Sequence, residues 1–151
     1  MQADNSSNHA IISGGTQGLG LAVARVMAQQ GCTAIIITGR DAKKGEAAEA
    51  EISALGVVCH FIACDVGKEG DCHRLIERAL DRFGKINALV NCAAITTRGS
   101  ILDTSPARWH EHIAVNLTGP FLLMQGVAKH LEATGNPGSI VNILSTSAHV
   151  G

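Results

Sequence analysis

The sequence predicts an α/β fold, a doubly wound parallel sheet with helices on both faces. Five short apolar runs, typical of buried strands, alternate with four segments of helical periodicity along the 151 residues. The runs are apolar throughout rather than at every second position, as expected of strands that are buried on both faces. The 12 basic and 13 acidic side chains nearly balance, so no charge excess indicates a nucleic acid or a membrane surface as partner.

Each element has its own local evidence. In the first helix, Leu19, Val23 and Val26 lie three or four positions apart on one face, and Gly31 is the expected stop. The predicted helices span residues 18–30, 42–55, 72–83 and 106–131. The runs rich in β-branched residues between them are the predicted strands, at residues 10–12, 34–37, 57–63, 88–90 and 139–144.

The fourth helix carries a start signal and an internal break. Pro106 suits the first turn, because its missing N–H is not needed there, and Ser105 precedes it as an N-cap. Gly119 and Pro120 lie inside the helical pattern. Since proline cannot donate to the preceding turn, a kink is expected at this point.

A glycine-rich turn follows the first strand and leads directly into the first helix. It contains Gly14, Gly18 and Gly20. Glycine at these positions lets the backbone turn tightly and approach a phosphate closely, while the helix N-terminus offers free N–H groups to the anion. Ligands of such sheets bind beyond the carboxyl ends of the strands, so the turn predicts a dinucleotide site.

The remaining features limit the class of protein. Residues 1–8 are polar and are expected to form a disordered tail, with residues 9–151 as one domain. No secretory signal or membrane-spanning run is recognisable, so a cytoplasmic protein is expected. The five cysteines form no C-x-x-C pair and the seven histidines have no metal-ligand spacing. We therefore expect reduced cysteines and no metal site.

Five ordered segments resemble the motifs of one known family. They are the turn from Ser13 to Gly20, the triplet Cys64-Asp65-Val66, the run Asn91-Cys92-Ala93-Ala94, the segment Val115-Asn116-Leu117-Thr118-Gly119, and residues 138–143 leading to Ser145. In this order they are similar to the T-G-x-x-x-G-x-G turn and the later motifs of the short-chain dehydrogenase/reductase family. Ser13 replaces the family's threonine, and Cys92 and Ala94 replace asparagine and glycine of its N-N-A-G motif.

The resemblance implies a fold, an activity and an assembly. The fold is a Rossmann-type three-layer sandwich, here truncated after the fifth strand and incomplete at its C-terminal end. The activity is that of an NAD(P)-dependent oxidoreductase, which transfers hydride between nicotinamide and a small alcohol or carbonyl substrate. The complete protein is expected to be a homo-oligomer, a dimer or a tetramer.

The resemblance also assigns site residues. Cofactor binding is expected at Gly14, Thr16, Gln17, Gly18, Leu19, Gly20, Arg40, Asp65, Val66, Asn91, Ala93 and Ala94. Ser145 is expected to hydrogen-bond the substrate oxygen, with Ser147 and Thr146 as alternatives. Asn116 is expected to take part in the proton relay; the structural alternative is a buried asparagine that caps broken helix hydrogen bonds.

The end of the second strand favours NADP over NAD. Gly39 stands where an acidic residue would accept from the 2′-hydroxyl of NAD, and Arg40, whose planar guanidinium suits a phosphate, follows it. The alternative is a solvated Arg40 paired with Asp41. Gln17 lies where NADP-preferring relatives often carry a second basic residue. Asp65 is expected to accept from the adenine amino group, with a turn or helix-cap role as its alternative.

The sequence contains no tyrosine. The resemblance implies a catalytic tyrosine after the serine and a lysine after the tyrosine, both of which would fall beyond Gly151. We therefore expect the chain to correspond to the cofactor-binding front of such an enzyme and to be inactive by itself. A non-catalytic dinucleotide-binding or sensor module is the alternative.

Overall fold

The computed structural model describes residues 8–145 and contains a five-stranded sheet. The strands are β1 (His9–Ser13), β2 (Ala34–Gly39), β3 (Val58–Ala63), β4 (Ala88–Asn91) and β5 (Ser139–Asn142). The helices are α1 (Gly18–Gln29), α2 (Ala42–Ser53), α3 (Glu69–Phe83), α4 (Pro106–Ile113) and α5 (Gly119–Thr134), and a π-helical turn (Ala114–Thr118) joins the last two.

The strands are all parallel and lie in the order β3-β2-β1-β4-β5. The chain therefore starts in the middle of the sheet, winds to one edge, and returns to build the other half. The predicted doubly wound parallel sheet is confirmed. The strand order reverses between β1 and β4, which is where sheets of this kind open a crevice at their carboxyl ends.

Side chains that alternate along the strands build a hydrophobic core on each face of the sheet. Ile11, Ile36 and Leu89 are buried on one face, in the cluster that includes α3 and α5 residues. Ile12 and Ile37 are buried on the other face, in the cluster that includes α1 and α2 residues. The alternation follows from the two-residue repeat of a strand, and it explains why these runs are apolar throughout.

The long helix differs from the prediction in its middle. Ser105 accepts from the Arg108 N–H as the expected N-cap, and α4 begins at Pro106. The predicted kink at Gly119 and Pro120 is a π-helical turn that ends just before them. Pro120 has no N–H to donate to the carbonyl four residues earlier, so the regular helical ladder is interrupted there. The helix also continues past residue 131 to Thr134.

The sheet edges differ slightly from the predicted strands. β3 begins at Val58 rather than at residue 57, and β5 ends at Asn142 rather than at residue 144. Within residues 8–145, β5 pairs only with β4, and four residues of each strand are in register, so β5 ends where its partner does.

The amino-terminal tail is mostly outside the described residues, as are residues 146–151. Asn8 is described, and its carbonyl oxygen accepts from the N–H groups of Thr33 and Ala34 at the start of β2. No helix in the described part of the chain is long and apolar enough to span a membrane.

Candidate functional site

A cleft of about 310 Å³ opens at the carboxyl ends of the central strands. Of the residues predicted to bind cofactor, all but Asn91 line this cleft. They are Gly14, Thr16, Gln17, Gly18, Leu19, Gly20, Arg40, Asp65, Val66, Ala93 and Ala94. These residues come from four different strand ends, and the parallel sheet brings them together at one edge.

Five further residues line the cleft that the sequence motifs did not assign to it: Gly39, Cys64, Cys92, Ile95 and Val115. Cys64, Cys92 and Ile95 are direct neighbours of assigned residues, so their adjacency was an available signal. Val115 comes from the π-helical turn, and the assignment of its neighbour Asn116 to the site was the available signal for it.

The turn between β1 and α1 is closed so tightly that side chains do not fit. A Cβ on Gly20 would lie 2.2 Å from the carbonyl oxygen of Gly14, and Gly14 has a φ of +67°. The N-cap residue of α1, Gln17, makes no side-chain hydrogen bond to the first turn. The N–H groups at the start of α1 therefore have no side-chain cap and lie beside the cleft, an arrangement that suits an anion.

Ser13, the last residue of β1, connects the glycine turn to the loop after β4. Its side chain is buried, and its hydroxyl oxygen accepts from the N–H groups of Cys92 and Ala93 at 3.2 and 3.3 Å. The same hydroxyl donates to the Asn91 Oδ1 at 3.4 Å. One small polar side chain thus joins two walls of the cleft, a role that the sequence motif alone did not reveal.

Asn91 lies beneath the cleft rather than in its wall. It is buried, and its Nδ2 donates to the Asn142 Oδ1 at 2.9 Å. Its side chain therefore bonds β4 to β1 on one side and to β5 on the other. The contribution of Asn91 to cofactor binding stays a prediction.

Asp65 lines the cleft and also shapes the turn after β3. Its Oδ1 accepts from the Gly67 N–H at 3.1 Å, and its own N–H donates to Asp71. The turn role that the sequence left open for Asp65 is therefore present, while its position in the cleft wall leaves the adenine role as a prediction.

Arg40 follows β2 and reaches the outer end of the cleft. Its guanidinium makes no hydrogen bond or ion pair with any described residue. The expected alternative partner, Asp41, is instead the N-cap of α2 and accepts from the Lys44 N–H at 3.1 Å. The described contacts thus do not include an Arg40–Asp41 pair.

Asn116 holds the loop that follows β4. Its Oδ1 accepts from the Ile95 N–H, and its Nδ2 donates to the Ile95 carbonyl oxygen, both at 2.9 Å. The side chain is exposed, and its described hydrogen bonds go to Ile95 rather than to a broken helical turn. The side-chain amide of Asn116 thus forms two hydrogen bonds with the backbone of Ile95, as a neighbouring strand would. The proton-relay role of Asn116 stays a prediction.

Ser145 lies three residues beyond β5 at the same edge of the sheet. It is exposed and is not among the residues that line the cleft. The alternatives Ser147 and Thr146 lie outside the described residues. The assignment of the substrate-binding hydroxyl therefore stays a prediction.

Two of the cysteines, Cys92 at the cleft and Cys59 in the core, are not activated as nucleophiles. Burial raises the pKa of the Cys92 thiol at the cleft, and burial together with the charge of Glu49 raises the pKa of Cys59 to about 12. Such thiols stay protonated near neutral pH and are poor nucleophiles. Within residues 8–145, no group of three histidine, cysteine or acidic side chains could hold a metal ion.

Comparison with known proteins identifies the family. A model of the short chain dehydrogenase family matches residues 8–151. The chain belongs to this family. It is 33% identical over 142 residues to an NADP-dependent (R)-specific alcohol dehydrogenase of Lentilactobacillus kefiri, a match that covers 94% of the chain and 56% of the relative. The chain spans about half the length of the curated relatives it matches.

Solved structures of short-chain oxidoreductases superpose on this chain. A metagenomic short-chain oxidoreductase in complex with NADP has a TM-score of 0.85 and 33% identity, and the match covers 93% of this chain and 62% of that one. The F189W variant of actinorhodin polyketide ketoreductase with NADPH has a TM-score of 0.89 and 28% identity, with 99% and 57% of the two chains covered.

Proposed function

We propose that the chain forms the dinucleotide-binding region of an oxidoreductase that transfers hydride between NADP and an alcohol or carbonyl substrate. The observation that carries the proposal is the close contact of Gly20 with Gly14. It places the uncapped start of α1 beside a cleft at the point where the strand order reverses. A Cβ at Gly20 would collide with the Gly14 carbonyl oxygen, and a Cβ at Gly14 would collide with the Ala93 backbone, so either side chain would force this turn out of shape. When bound, the nicotinamide ring would supply the hydride chemistry.

NADP is proposed rather than NAD because of the outer end of the cleft. Arg40 is exposed there without a described partner, so its guanidinium is available to a 2′-phosphate. The relative from Lentilactobacillus kefiri is NADP-dependent, and two similar structures contain NADP or NADPH. These relatives support the same cofactor for this chain.

The substrate side of the proposal rests on fewer residues. Ser145 would hydrogen-bond the substrate oxygen, and Asn116 would fix the loop beside the nicotinamide end through its two bonds to Ile95. The 151 residues include no tyrosine to act as the family's proton donor. We therefore propose that this polypeptide by itself binds the dinucleotide without turnover, which is also the behaviour of a non-catalytic binding module.

A homo-oligomer is proposed for the complete protein. Trp109, Leu117 and Phe121 are all more than half exposed, and they lie along the α4 and α5 segment. Large apolar side chains that are exposed along one segment are typical of a contact with another protein copy.

Exchange of Arg40 for aspartate tests the cofactor assignment. Arg40→Asp should weaken NADP⁺ binding by about tenfold or more, because a phosphate then meets a carboxylate instead of a guanidinium, and it should strengthen NAD⁺ relative to NADP⁺. Isothermal titration with each nucleotide measures both dissociation constants.

The matched control is Arg78→Asp, which makes the same charge change on the exposed side of α3 away from the cleft. It should leave the ratio of the two dissociation constants as in the wild type. The same ratio in Arg40→Asp and in the wild type would exclude Arg40 as the selecting residue.

A further inference from the structure

We propose that Cys64 and Cys72 form a redox-sensitive dithiol beside the dinucleotide cleft, which a hydroperoxide converts to a disulfide that weakens dinucleotide binding. None of the sequence motifs assigns a role to either thiol. The effect on binding rests on the proposed function, whereas formation of the disulfide does not depend on it.

The two thiols meet where the chain passes from β3 to α3. Cys64 is the first residue after β3, and Cys72 lies near the start of α3. Both are free thiols, and their side chains are hydrogen-bonded to each other. The connection between strand and helix therefore brings two oxidisable sulfur atoms into contact.

A compact turn between the two cysteines holds them in this position. The Lys68 N–H donates to the Asp65 carbonyl oxygen at 2.9 Å, and the Cys72 N–H donates to the Lys68 carbonyl oxygen at 3.1 Å. The Asp65 N–H donates to the Asp71 Oδ2 at 3.0 Å. Because the turn is already closed by these bonds, little chain entropy opposes its closure by a bond between the sulfurs.

The pair combines access from the cleft with one activated sulfur. Cys64 lines the cleft, while Cys72 is fully buried. The hydrogen bond from Cys64 lowers the pKa of the Cys72 thiol, although burial and the charge of Asp71 oppose this. The same contact, together with burial, raises the pKa of Cys64. Cys72 is therefore the sulfur that ionises first, and a thiolate is the form that reacts with peroxide.

Hydrogen peroxide completes the oxidation in two balanced steps. The Cys72 thiolate attacks one peroxide oxygen, so that an S–O bond forms, the O–O bond breaks, and the leaving hydroxide takes the Cys64 proton as water. The Cys64 thiolate then attacks the Cys72 sulfur, an S–S bond forms, and the S–O bond breaks. The second hydroxide takes a proton from solvent. Two thiols are oxidised, and one peroxide is reduced to two waters.

The disulfide would change the wall of the cleft through Val66. The Cys72 thiol donates to the Val66 carbonyl oxygen at 3.4 Å, and Val66 lines the cleft next to Asp65. A disulfide has no S–H, so this oxygen loses the donor, and a covalent bond fixes the start of α3 to the end of β3. We expect this part of the wall to move and the affinity for the dinucleotide to fall.

The sheet separates this pair from the remaining cysteines. Cys64 and Cys72 belong to the hydrophobic cluster on the α3 and α5 face. Cys32 and Cys59 are buried in the cluster on the opposite face, and Cys92 packs against that cluster. Oxidation of the folded protein should therefore link Cys64 to Cys72 and to no other cysteine.

Peptide mapping of the oxidised chain tests the site. The reduced 151-residue protein is treated with hydrogen peroxide, its remaining thiols are alkylated, and it is digested with trypsin. Residues 69–74, which contain Cys72, should be linked to residues 45–68, which contain Cys59 and Cys64. Titration calorimetry should show about five- to tenfold weaker NADP⁺ binding after oxidation. Dithiothreitol should remove the link and restore the affinity.

Two variants and a matched control assign the link. Cys64→Ala and Cys72→Ala should form no link between these peptides, and each should bind NADP⁺ equally well before and after peroxide. Cys59→Ala is the control, because Cys59 lies in the same tryptic peptide as Cys64 but on the other face of the sheet. It should respond to peroxide as the wild type does. Thermal unfolding shows that each variant is folded, and the peptide map of the wild type depends on none of them.

The outcomes separate the site from its effect. No link between the two peptides in the wild type, or a link that persists in Cys64→Ala, would overturn the dithiol. A link that leaves the NADP⁺ affinity unchanged would overturn its effect on the cleft. If the reduced wild type binds no NADP⁺, the proposed function fails and the effect on binding fails with it, while the peptide map still decides whether the disulfide forms.

Discussion

Ser13 shows how one hydroxyl can hold the cofactor cleft together. It is buried at the end of β1, and it accepts from two backbone N–H groups of the loop after β4. The Cys92 N–H also donates to the Ser13 carbonyl oxygen, whereas the Ala93 N–H has the hydroxyl as its described acceptor. Loss of the hydroxyl would therefore affect Ala93 most.

Ser13→Ala should destabilise the protein by about 1–2 kcal/mol, because the Ala93 N–H loses its acceptor in a half-buried position. Urea unfolding followed by circular dichroism measures the change. Ser13→Thr keeps the hydroxyl, so it is the matched control and should retain most of the stability. Equal stability of the alanine variant and the wild type would mean that solvent replaces this hydroxyl at no cost.

At the scale of elements, the π-helical turn is the part of the last helical segment that borders the cleft. It carries Val115 in the cleft wall and Asn116, whose amide pairs with Ile95. The loop is held a second time where Thr97 Oγ1 lies 2.6 Å from His112 Nε2 of α4. Helix and loop therefore order each other beside the cleft.

Asn116→Ala should release this loop. We expect the Ile95 amide to exchange with deuterium at least about tenfold faster, because it loses its acceptor in an exposed segment. Hydrogen exchange read out by nuclear magnetic resonance measures the rate. Thr118→Ala, in the same π-helical turn, is the control and should leave that rate unchanged. Slow exchange of the Ile95 amide in both variants would show that Asn116 does not hold the loop.

The start of β1 packs against the end of α3 through His9. The His9 ring meets Phe83 edge to face at 5.4 Å, and the backbone N–H of His9 donates to the Asn87 Oδ1. Burial, and then the positive charge of Lys85, lower the pKa of His9 below 6.5. The unfolded chain therefore binds more protons than the folded protein just below that pH, and stability falls as the pH drops through 6.5.

His9→Gln should reduce this acid sensitivity, because the variant has no ring to protonate. Unfolding free energies measured between pH 7 and pH 5 should fall less steeply than in the wild type. His73→Gln, on the exposed side of α3, is the matched control and should keep the wild-type slope. An unchanged slope in His9→Gln would place the acid sensitivity elsewhere.

For the whole molecule, the sequence predicted the parallel sheet because β-branched runs such as residues 34–37 and helix stops such as Gly31 are local signals. The glycine turn was equally predictable from the sequence, because the spacing of the glycines follows from the close backbone contact that requires them. The π-helical turn was not, since helical periodicity does not distinguish it from a regular helix over five residues. Contacts distant in sequence, such as Lys44 with Gln17, have no local pattern at all.

Asn91 illustrates the remaining difference between motif and structure. Its motif follows β4 at the correct edge of the sheet, but its side chain bonds to Ser13 and Asn142. Which way a strand-end side chain points depends on the registers of both neighbouring strands. A single sequence contains no such information until the sheet order is known.

The central claim, that this cleft is a site for NADP, is tested most directly by titration of the protein with NADP⁺ and NAD⁺. The wild type should bind NADP⁺ at least about tenfold more tightly than NAD⁺. Gly20→Ala should bind neither, because its Cβ would lie 2.2 Å from the Gly14 oxygen and push the turn into the phosphate site. Gly70→Ala, in the first turn of α3, is the control and should bind as the wild type does. A wild-type protein that binds neither nucleotide, or that binds NAD⁺ as tightly as NADP⁺, would contradict the account.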